Sequence, residues 1–189
     1  MKNIADLLFE AKMLKEIPRS GYHFLGVGKE SVAEHCFMTT FIAYVMSKKE
    51  PGADALRLIE MCAVHDLPES RIGDLNYVQK NYVTPDEEQA ITDATGDLPL
   101  GPALADLIHE FNEGKTKEAK LARDADQLAL VLELKALMDI GYTPPKKWLP
   151  FVIERLETET GKDLCESILS TTRDAWWFKN SVDSTYRNQ

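Results

Sequence analysis

Cysteine is scarce in this sequence, and its distribution excludes two classes of protein. The three cysteines, Cys36, Cys62 and Cys165, are widely separated and form no CxxC pair. An odd and scattered set does not build a disulfide framework or a CxxC zinc module. A reducing compartment is the simplest explanation, so a cytoplasmic location is expected. Cys36 and Cys62 are predicted to be small members of the hydrophobic core.

Long hydrophobic runs and excess positive charge are also missing. The most apolar stretch, 37–46, is about half the length of a membrane span. Asp6 and Glu10 occupy a region that would be apolar in a signal peptide. The net charge is −9, from 22 basic and 31 acidic residues, so we expect no membrane and no DNA or RNA duplex as a partner. A small anionic ligand is compatible with this charge if the site is locally positive.

The alternation typical of strands is nearly absent, whereas the helical period extends along the chain. Its length of 189 residues, with 44% hydrophobic and 28% charged residues, suits one globular domain. Ser31 and Glu34 form a capping-box pattern before a helix that is apolar on most sides. We therefore predict an all-α fold, a single bundle of about eight helices over residues 1–180, followed by a disordered polar tail, 181–189. The predicted helices begin near residues 4, 32, 51, 85, 101, 117, 146 and 163.

Four polar side chains lie on helix faces that are otherwise apolar: His35, His65, Asp66 and Asp124. A buried carboxylate without a partner costs several kcal/mol. Two imidazoles and two carboxylates that converge on one cation would remove that cost, and they suit a borderline divalent metal. Each residue alone is more often a hydrogen-bonded or salt-bridged core residue, but the four together favour a metal site.

The order of these residues resembles the H…HD…D signature of the HD-domain metal-dependent phosphohydrolases. The separations are 30 and then 58 residues, and the resemblance covers about residues 3–160. Local segments narrow it to the 5′-deoxynucleotidase (YfbR-like) branch. These segments are 17–22 (IPRSGY), 30–35 (ESVAEH), 65–74 (HDLPESRIGD) and 123–127 (RDADQ).

The resemblance implies a role for each matching residue. It implies a homodimer and one divalent transition metal (Co, Mn, Fe, Ni, Zn or Cu). A dinuclear site would need further histidines between Asp66 and Asp124, and only His109 lies there. The implied metal ligands are His35, His65, Asp66 and Asp124; the implied catalytic acids are Glu69 and Asp74; the implied substrate contacts are Arg19, Asp74 and Tyr77.

The activity that the resemblance implies is removal of phosphate from deoxyribonucleoside 5′-monophosphates by a metal-activated water. The branch has tryptophan directly after the arginine where this chain has Ser20, so selectivity for deoxyribose over ribose stays open, as do the base and the metal. Two alternatives are an HD phosphohydrolase acting on another nucleotide or phosphate ester, and a non-catalytic nucleotide-binding regulator. A regulator need not keep Glu69, Asp74 and Arg19 together.

Overall fold

Helices make up the regular secondary structure of the part of the chain that the computed structural model describes, residues 3–96 and 98–178. The predicted all-α fold is therefore confirmed. The predicted tail, 181–189, lies outside the described residues. Two short 3₁₀ helices, Gln79–Asn81 and Pro144–Lys147, accompany the α-helices. The α-helices are α1 (Ile4–Met13), α2 (Tyr22–Leu25), α3 (Val32–Lys49), α4 (Ala55–Val64), α5 (Glu69–Ile72), α6 (Glu87–Thr95), α7 (Gly101–Glu113), α8 (Lys117–Asp139), α9 (Leu149–Ile153) and α10 (Glu159–Ser170).

The start of α3 follows the predicted capping box. The side chain of Ser31 accepts a hydrogen bond from the backbone N–H of Glu34, and the Glu34 carboxylate accepts one from the backbone N–H of Ser31. These two bonds satisfy helix-end donors that would otherwise lack partners. They also set where the first turn of α3 begins, and therefore which way His35 points.

The centre of the bundle is α8, which packs against α3, α4 and α10. Small residues on α8 allow close approach, because Ala119, Ala122 and Ala125 are fully buried. Leu121 and Leu128, also fully buried, fill the space between the helices. The interior faces of α3, α4 and α8 consequently meet, and polar side chains on those faces are brought into contact. None of the helices in residues 3–96 and 98–178 is long and apolar enough to cross a membrane.

The C-terminal third departs from the predicted helix boundaries. The helix predicted to begin near 146 is only the short α9, preceded by the 3₁₀ turn Pro144–Lys147. The helix predicted to begin near 163 instead begins at Glu159, because the side chain of Thr158 accepts from the backbone N–H of Gly161 and caps α10. Two four-residue helices, α2 and α5, are additional to the predicted helices.

Candidate active site

Three helices place four ionisable side chains around one point. His35 lies in the first turn of α3, His65 caps the end of α4 with Asp66 directly after it, and Asp126 lies on α8. His35 Nε2 is 2.8 Å from Asp126 Oδ1 and 3.8 Å from Asp66 Oδ2. His65 Nε2 is 3.3 Å from Asp66 Oδ2. Both imidazoles are almost fully buried.

This cluster fits a divalent cation. Nitrogen and oxygen ligands lie about 2.0–2.2 Å from such an ion, so two ligand atoms on one ion are typically about 3–3.5 Å apart. His65 Nδ1 lies 3.0 Å from the carbonyl oxygen of Cys62, so an N–H donated there leaves Nε2 with the lone pair. That Nε2 is buried and has no hydrogen-bond partner, although Asp66 is close. Without an ion, Asp66 raises the pKa of His65 to about 9 against the lowering effect of burial.

Asp124, the predicted fourth ligand, is not part of the cluster. Its carboxylate accepts hydrogen bonds from the backbone N–H of Glu157, at 2.8 Å, and from the backbone N–H and hydroxyl of Thr158, at 2.8 and 2.5 Å. Two residues along a helix point about 200° apart, so Asp124 and Asp126 cannot face the same site. The prediction that Asp124 is buried is confirmed, but its carboxylate holds the start of α10, and Asp126 occupies the place expected for Asp124.

Arg19 lies beside the cluster, where the resemblance implied a phosphate contact. Its Nη1 is 3.8 Å from Asp66 Oδ2 and 3.6 Å from Asp74 Oδ2. Asp74 Oδ2 also accepts from the backbone N–H of Ser20 at 2.8 Å, so Asp74 anchors the loop that presents the arginine. Burial alone would lower the pKa of Arg19, but Asp74 and Asp66 outweigh it, and the guanidinium stays charged.

Glu69 opens α5 and faces the same space. Its Oε2 is buried and has no hydrogen-bond partner. Burial raises the pKa of Glu69 to about 9, and the charges of Asp66 and Asp74 add to the effect. Both effects favour the protonated carboxyl group, which is the form that a general acid needs before it donates.

A cavity of about 370 Å³ opens onto these residues, which is within the range of small-molecule sites. It exposes Arg19, Glu69 and Asp126 to a ligand, and two further cations, Lys80 and Arg155, line it. Neither cation belongs to a motif, so neither was predicted from the sequence.

Tyr77 is not among the residues that line this cavity. Its ring is 67% exposed and lies 5.5 Å from the ring of Phe24. Gln127, which was not predicted as a site residue, also lines the cavity and donates from Nε2 to Asp126 Oδ2 at 2.8 Å. Gln127 directly follows Asp126 in the RDADQ segment, and this position could have indicated its role.

The chain is similar in sequence and in structure to proteins with HD domains. A family model described as an HD domain matches residues 11–168. A 5′-deoxynucleotidase HDDC2 of Dictyostelium discoideum is 30% identical over 145 residues, which are 70% of this chain and 76% of that protein. A conserved hypothetical protein of Pyrococcus furiosus superposes with a TM-score of 0.75 at 26% identity, covering 87% of this chain and 98% of that one. The fold is shared with the cyanophage S-2L HD phosphohydrolase, bound to dA and one catalytic Zn²⁺, with a TM-score of 0.57 at 18% identity over 90% of this chain and 99% of that one.

Proposed function

Because the chain belongs to the HD domain family, we propose that it is a metal-dependent phosphohydrolase that removes the phosphate of deoxyribonucleoside 5′-monophosphates. The 5′-deoxynucleotidase of Dictyostelium discoideum supports the reaction, and the cluster supports the chemistry. The single observation on which the proposal depends is the group formed by His35, His65 and Asp126, whose ligand atoms all lie within 4.8 Å of one another. We propose His35, His65, Asp66 and Asp126 as the metal ligands.

A cation held there would polarise the phosphate and lower the pKa of a water molecule, so that hydroxide is accessible at neutral pH. Side chains of the protein carry out the remaining steps. Arg19 presents a planar fork to the phosphate oxygens and neutralises their charge. Glu69 holds a proton beside the cavity and donates it to the departing 5′-oxygen. Asp74 keeps Arg19 in place through the backbone of Ser20.

The proposal is tested by phosphate release from purified protein. The panel comprises the four deoxyribonucleoside 5′-monophosphates, their ribonucleotide counterparts, dATP and a simple aryl phosphate, each after chelation and after return of Co²⁺, Mn²⁺ or Zn²⁺. We expect hydrolysis of the deoxy monophosphates that disappears with chelator and returns with metal. Absence of release with every metal would favour the regulator, and release from the other phosphates alone would favour a different phosphohydrolase.

Glu69→Gln isolates the proposed proton donor. Loss of general acid catalysis lowers turnover by about 10²–10⁴-fold, while bound metal and helicity should not change. Glu60→Gln, on the exposed side of α4, is the matched control and should behave like the original protein. Unchanged turnover in Glu69→Gln would remove Glu69 from the mechanism.

We also propose that the protein is a homodimer, supported by the outer face of α3. Three aromatic rings there, Phe37, Phe41 and Tyr44, are 67%, 54% and 49% exposed. Glu34 lies seven residues before Phe41 and Lys48 seven after it, and both are exposed. An antiparallel pair of α3 helices centred on Phe41 would therefore place each Glu34 opposite the other copy's Lys48.

The area is close to what a dimer needs. Aromatic side chains bury about 150–250 Å² each when fully covered. Scaled by their exposed fractions, the three rings of two copies contribute roughly 700 Å². The partly exposed Met38 and the exposed Val45 bring the total near the lower bound of about 1,000 Å² for a specific interface. A second copy suits this face better than an unrelated partner because the charges at its two ends complement each other.

Sedimentation equilibrium tests the dimer. We expect a reversible dimer for the original protein and a monomer for Phe41→Glu. Leu56→Glu changes an apolar residue on α4 that is 66% exposed, more than the 54% of Phe41, and should leave the dimer intact. A monomeric original protein, or a dimer that tolerates Phe41→Glu, would contradict the α3 interface.

We propose a cytoplasmic location and a domain that extends over residues 1–180. The support for the location is chemical, since all three cysteines are free thiols and reducing compartments keep them so. Fractionation of the cells that make the protein tests it, and recovery in a secreted or membrane fraction would contradict it.

A further inference from the structure

We propose that the thiol of Cys36 is an additional ligand of the metal ion and biases the site towards thiophilic ions such as Zn²⁺, Co²⁺ and Cd²⁺. The inference rests on the metal site of the proposed function, but it concerns a residue that the HD signature does not include. Cys36 follows His35 on α3 and is buried. Its sequence surroundings predicted only a small core residue.

The sulfur of Cys36 lies close to two of the proposed ligands. Cys36 Sγ lies 4.0 Å from Asp66 Oδ2. Its Sγ, a nitrogen of His65 and an oxygen of Asp66 lie within 4.8 Å of one another. A zinc–sulfur bond is about 2.3 Å and a zinc–nitrogen bond about 2.0–2.1 Å. A small rotation of the cysteine side chain would therefore bring the sulfur into coordination distance of an ion shared with Asp66.

Asp66 connects this thiol to the rest of the cluster. Its Oδ2 lies within 4.0 Å of the sulfur of Cys36, of His35 Nε2 and of His65 Nε2. Two groups of ligand atoms thus share His65, one completed by His35 and Asp126 and the other by Cys36 and Asp66. His65 is common to both groups, and its buried Nε2, which has no hydrogen-bond partner, independently indicates a missing ligand.

The other buried cysteines show what an ordinary core thiol looks like in this protein. Cys62 Sγ donates to the carbonyl oxygen of Ala122 at 3.9 Å and packs in the central core. Cys165 is buried in the same core. Among the cysteines, all of which lie in the described residues, Cys36 alone belongs to a group of potential metal ligands. The placement of its sulfur against a carboxylate is therefore not a general consequence of burial.

Coordination would change the charge and the selectivity of the site. Cys36 would bind as a thiolate and release its proton to solvent. Thiolate is a soft ligand, whereas carboxylate and water favour Mn²⁺ and Mg²⁺. An ion held by nitrogen, oxygen and sulfur together should consequently be Zn²⁺, Co²⁺ or Cd²⁺ in preference to Mn²⁺.

Optical spectroscopy of the Co²⁺-loaded protein tests the assignment without any substrate. Apo-protein titrated with Co²⁺ alone should develop a thiolate-to-cobalt charge-transfer band in the near ultraviolet that saturates at one ion per chain. Cys36→Ala should still bind Co²⁺ but lose this band. Cys62→Ala, the matched core control, should retain it. Circular dichroism checks that both variants are folded.

Metal competition gives the second readout. The ratio of the Mn²⁺ to the Cd²⁺ dissociation constant should fall by about 10-fold or more in Cys36→Ala, the scale on which groups around a metal alter its affinity. Saturable Co²⁺ binding without a charge-transfer band, or a band that survives Cys36→Ala, would overturn the role of Cys36 and leave the proposed function intact. A protein that binds no divalent ion would overturn both.

Discussion

Two aspartates on α8, two positions apart, have unrelated surroundings. Asp126 lies 2.8 Å from His35 Nε2 at the wall of the cavity. Asp124 is fully buried and receives three hydrogen bonds from Glu157 and Thr158. Both positions carry an aspartate, so residue type alone does not separate them. The separation comes from direction, because successive helical residues rotate by about 100°.

The aspartate pair yields a reciprocal prediction. Asp126→Asn should weaken binding of the divalent metal and abolish phosphate release, because the amide oxygen is a poor substitute for an anionic ligand. Asp124→Asn should keep metal binding but lower the free energy of unfolding by about 1–3 kcal/mol, the cost of compromising buried hydrogen bonds. Calorimetric metal titration and denaturant unfolding of both variants measure the two effects. Loss of metal binding in Asp124→Asn alone would restore the original assignment.

Glu30, a half-buried carboxylate next to the loop that presents Arg19, predicts a dependence of stability on pH. Burial raises the pKa of Glu30 from 4.5 to about 7, with a further contribution from Glu133. Since the folded pKa exceeds the unfolded one, the stabilisation is complete below about pH 4.5 and is lost as the pH rises through 7. Glu30→Gln should therefore gain melting temperature over the original protein as the pH increases from 5 to 8.

Thermal unfolding of the original protein and Glu30→Gln at pH 5, 6, 7 and 8 measures this gain. Glu60→Gln, whose side chain is exposed, controls for the change in net charge. If the difference in melting temperature between Glu30→Gln and the original protein stays constant from pH 5 to pH 8, Glu30 titrates at an ordinary pKa.

At the scale of elements, the contact between α8 and α10 is unusually close. A Cβ atom added at Gly161 would lie 2.2 Å from Asp124 Oδ2, so only glycine leaves room for the carboxylate. Thr158 caps the same helix and donates its hydroxyl to Asp124. The glycine, the threonine and the aspartate therefore position α10 together.

Gly161→Ala should destabilise the protein although alanine is the better helix former. Overpacking typically costs about 1–3 kcal/mol, and each kcal/mol corresponds to about 2–4 °C in melting temperature at this chain length. Gly52→Ala is the control, because its added Cβ would meet only Lys117 Nζ at 3.5 Å. Equal melting temperatures for the two variants would mean that Asp124 can move aside at no cost.

At the scale of the whole molecule, the cluster joins α3, α4 and α8, which form the centre of the bundle. A cation bound there would link helices that are distant in sequence, and ligand binding to the folded state alone increases stability. The proposed metal site is therefore also expected to stabilise the fold.

Metal should raise the melting temperature. Free metal at 100 times its dissociation constant adds about 2.7 kcal/mol, or roughly 5–10 °C for a chain of this size. Differential scanning fluorimetry with chelator and with Zn²⁺ or Mn²⁺ measures the shift. Asp126→Asn should lose most of it, whereas Asp124→Asn should show it from a lower starting temperature. No shift in the original protein would argue against a buried ion.

Local sequence determined much of the architecture, because helix formation depends on neighbours a few residues away. The helical period predicted the all-α fold, and Ser31 with Glu34 predicted the start of α3. Short elements such as α9 were predicted poorly, since their ends depend on tertiary contacts rather than on propensity alone. The cap that starts α10 at Thr158 is supported by a carboxylate 34 residues earlier in the chain.

The sequence by itself also selected His35, His65 and Asp66, because polar residues on apolar helix faces need partners, and the structure brings these three together. Only the tertiary structure decided between Asp124 and Asp126, and only it placed Cys36 beside Asp66. A helical pattern specifies which residues are buried but not which buried atoms meet. That depends on how α3, α4, α8 and α10 are rotated and packed against one another. On α8, Asp124 and Asp126 point about 200° apart, so their carboxylates reach different partners.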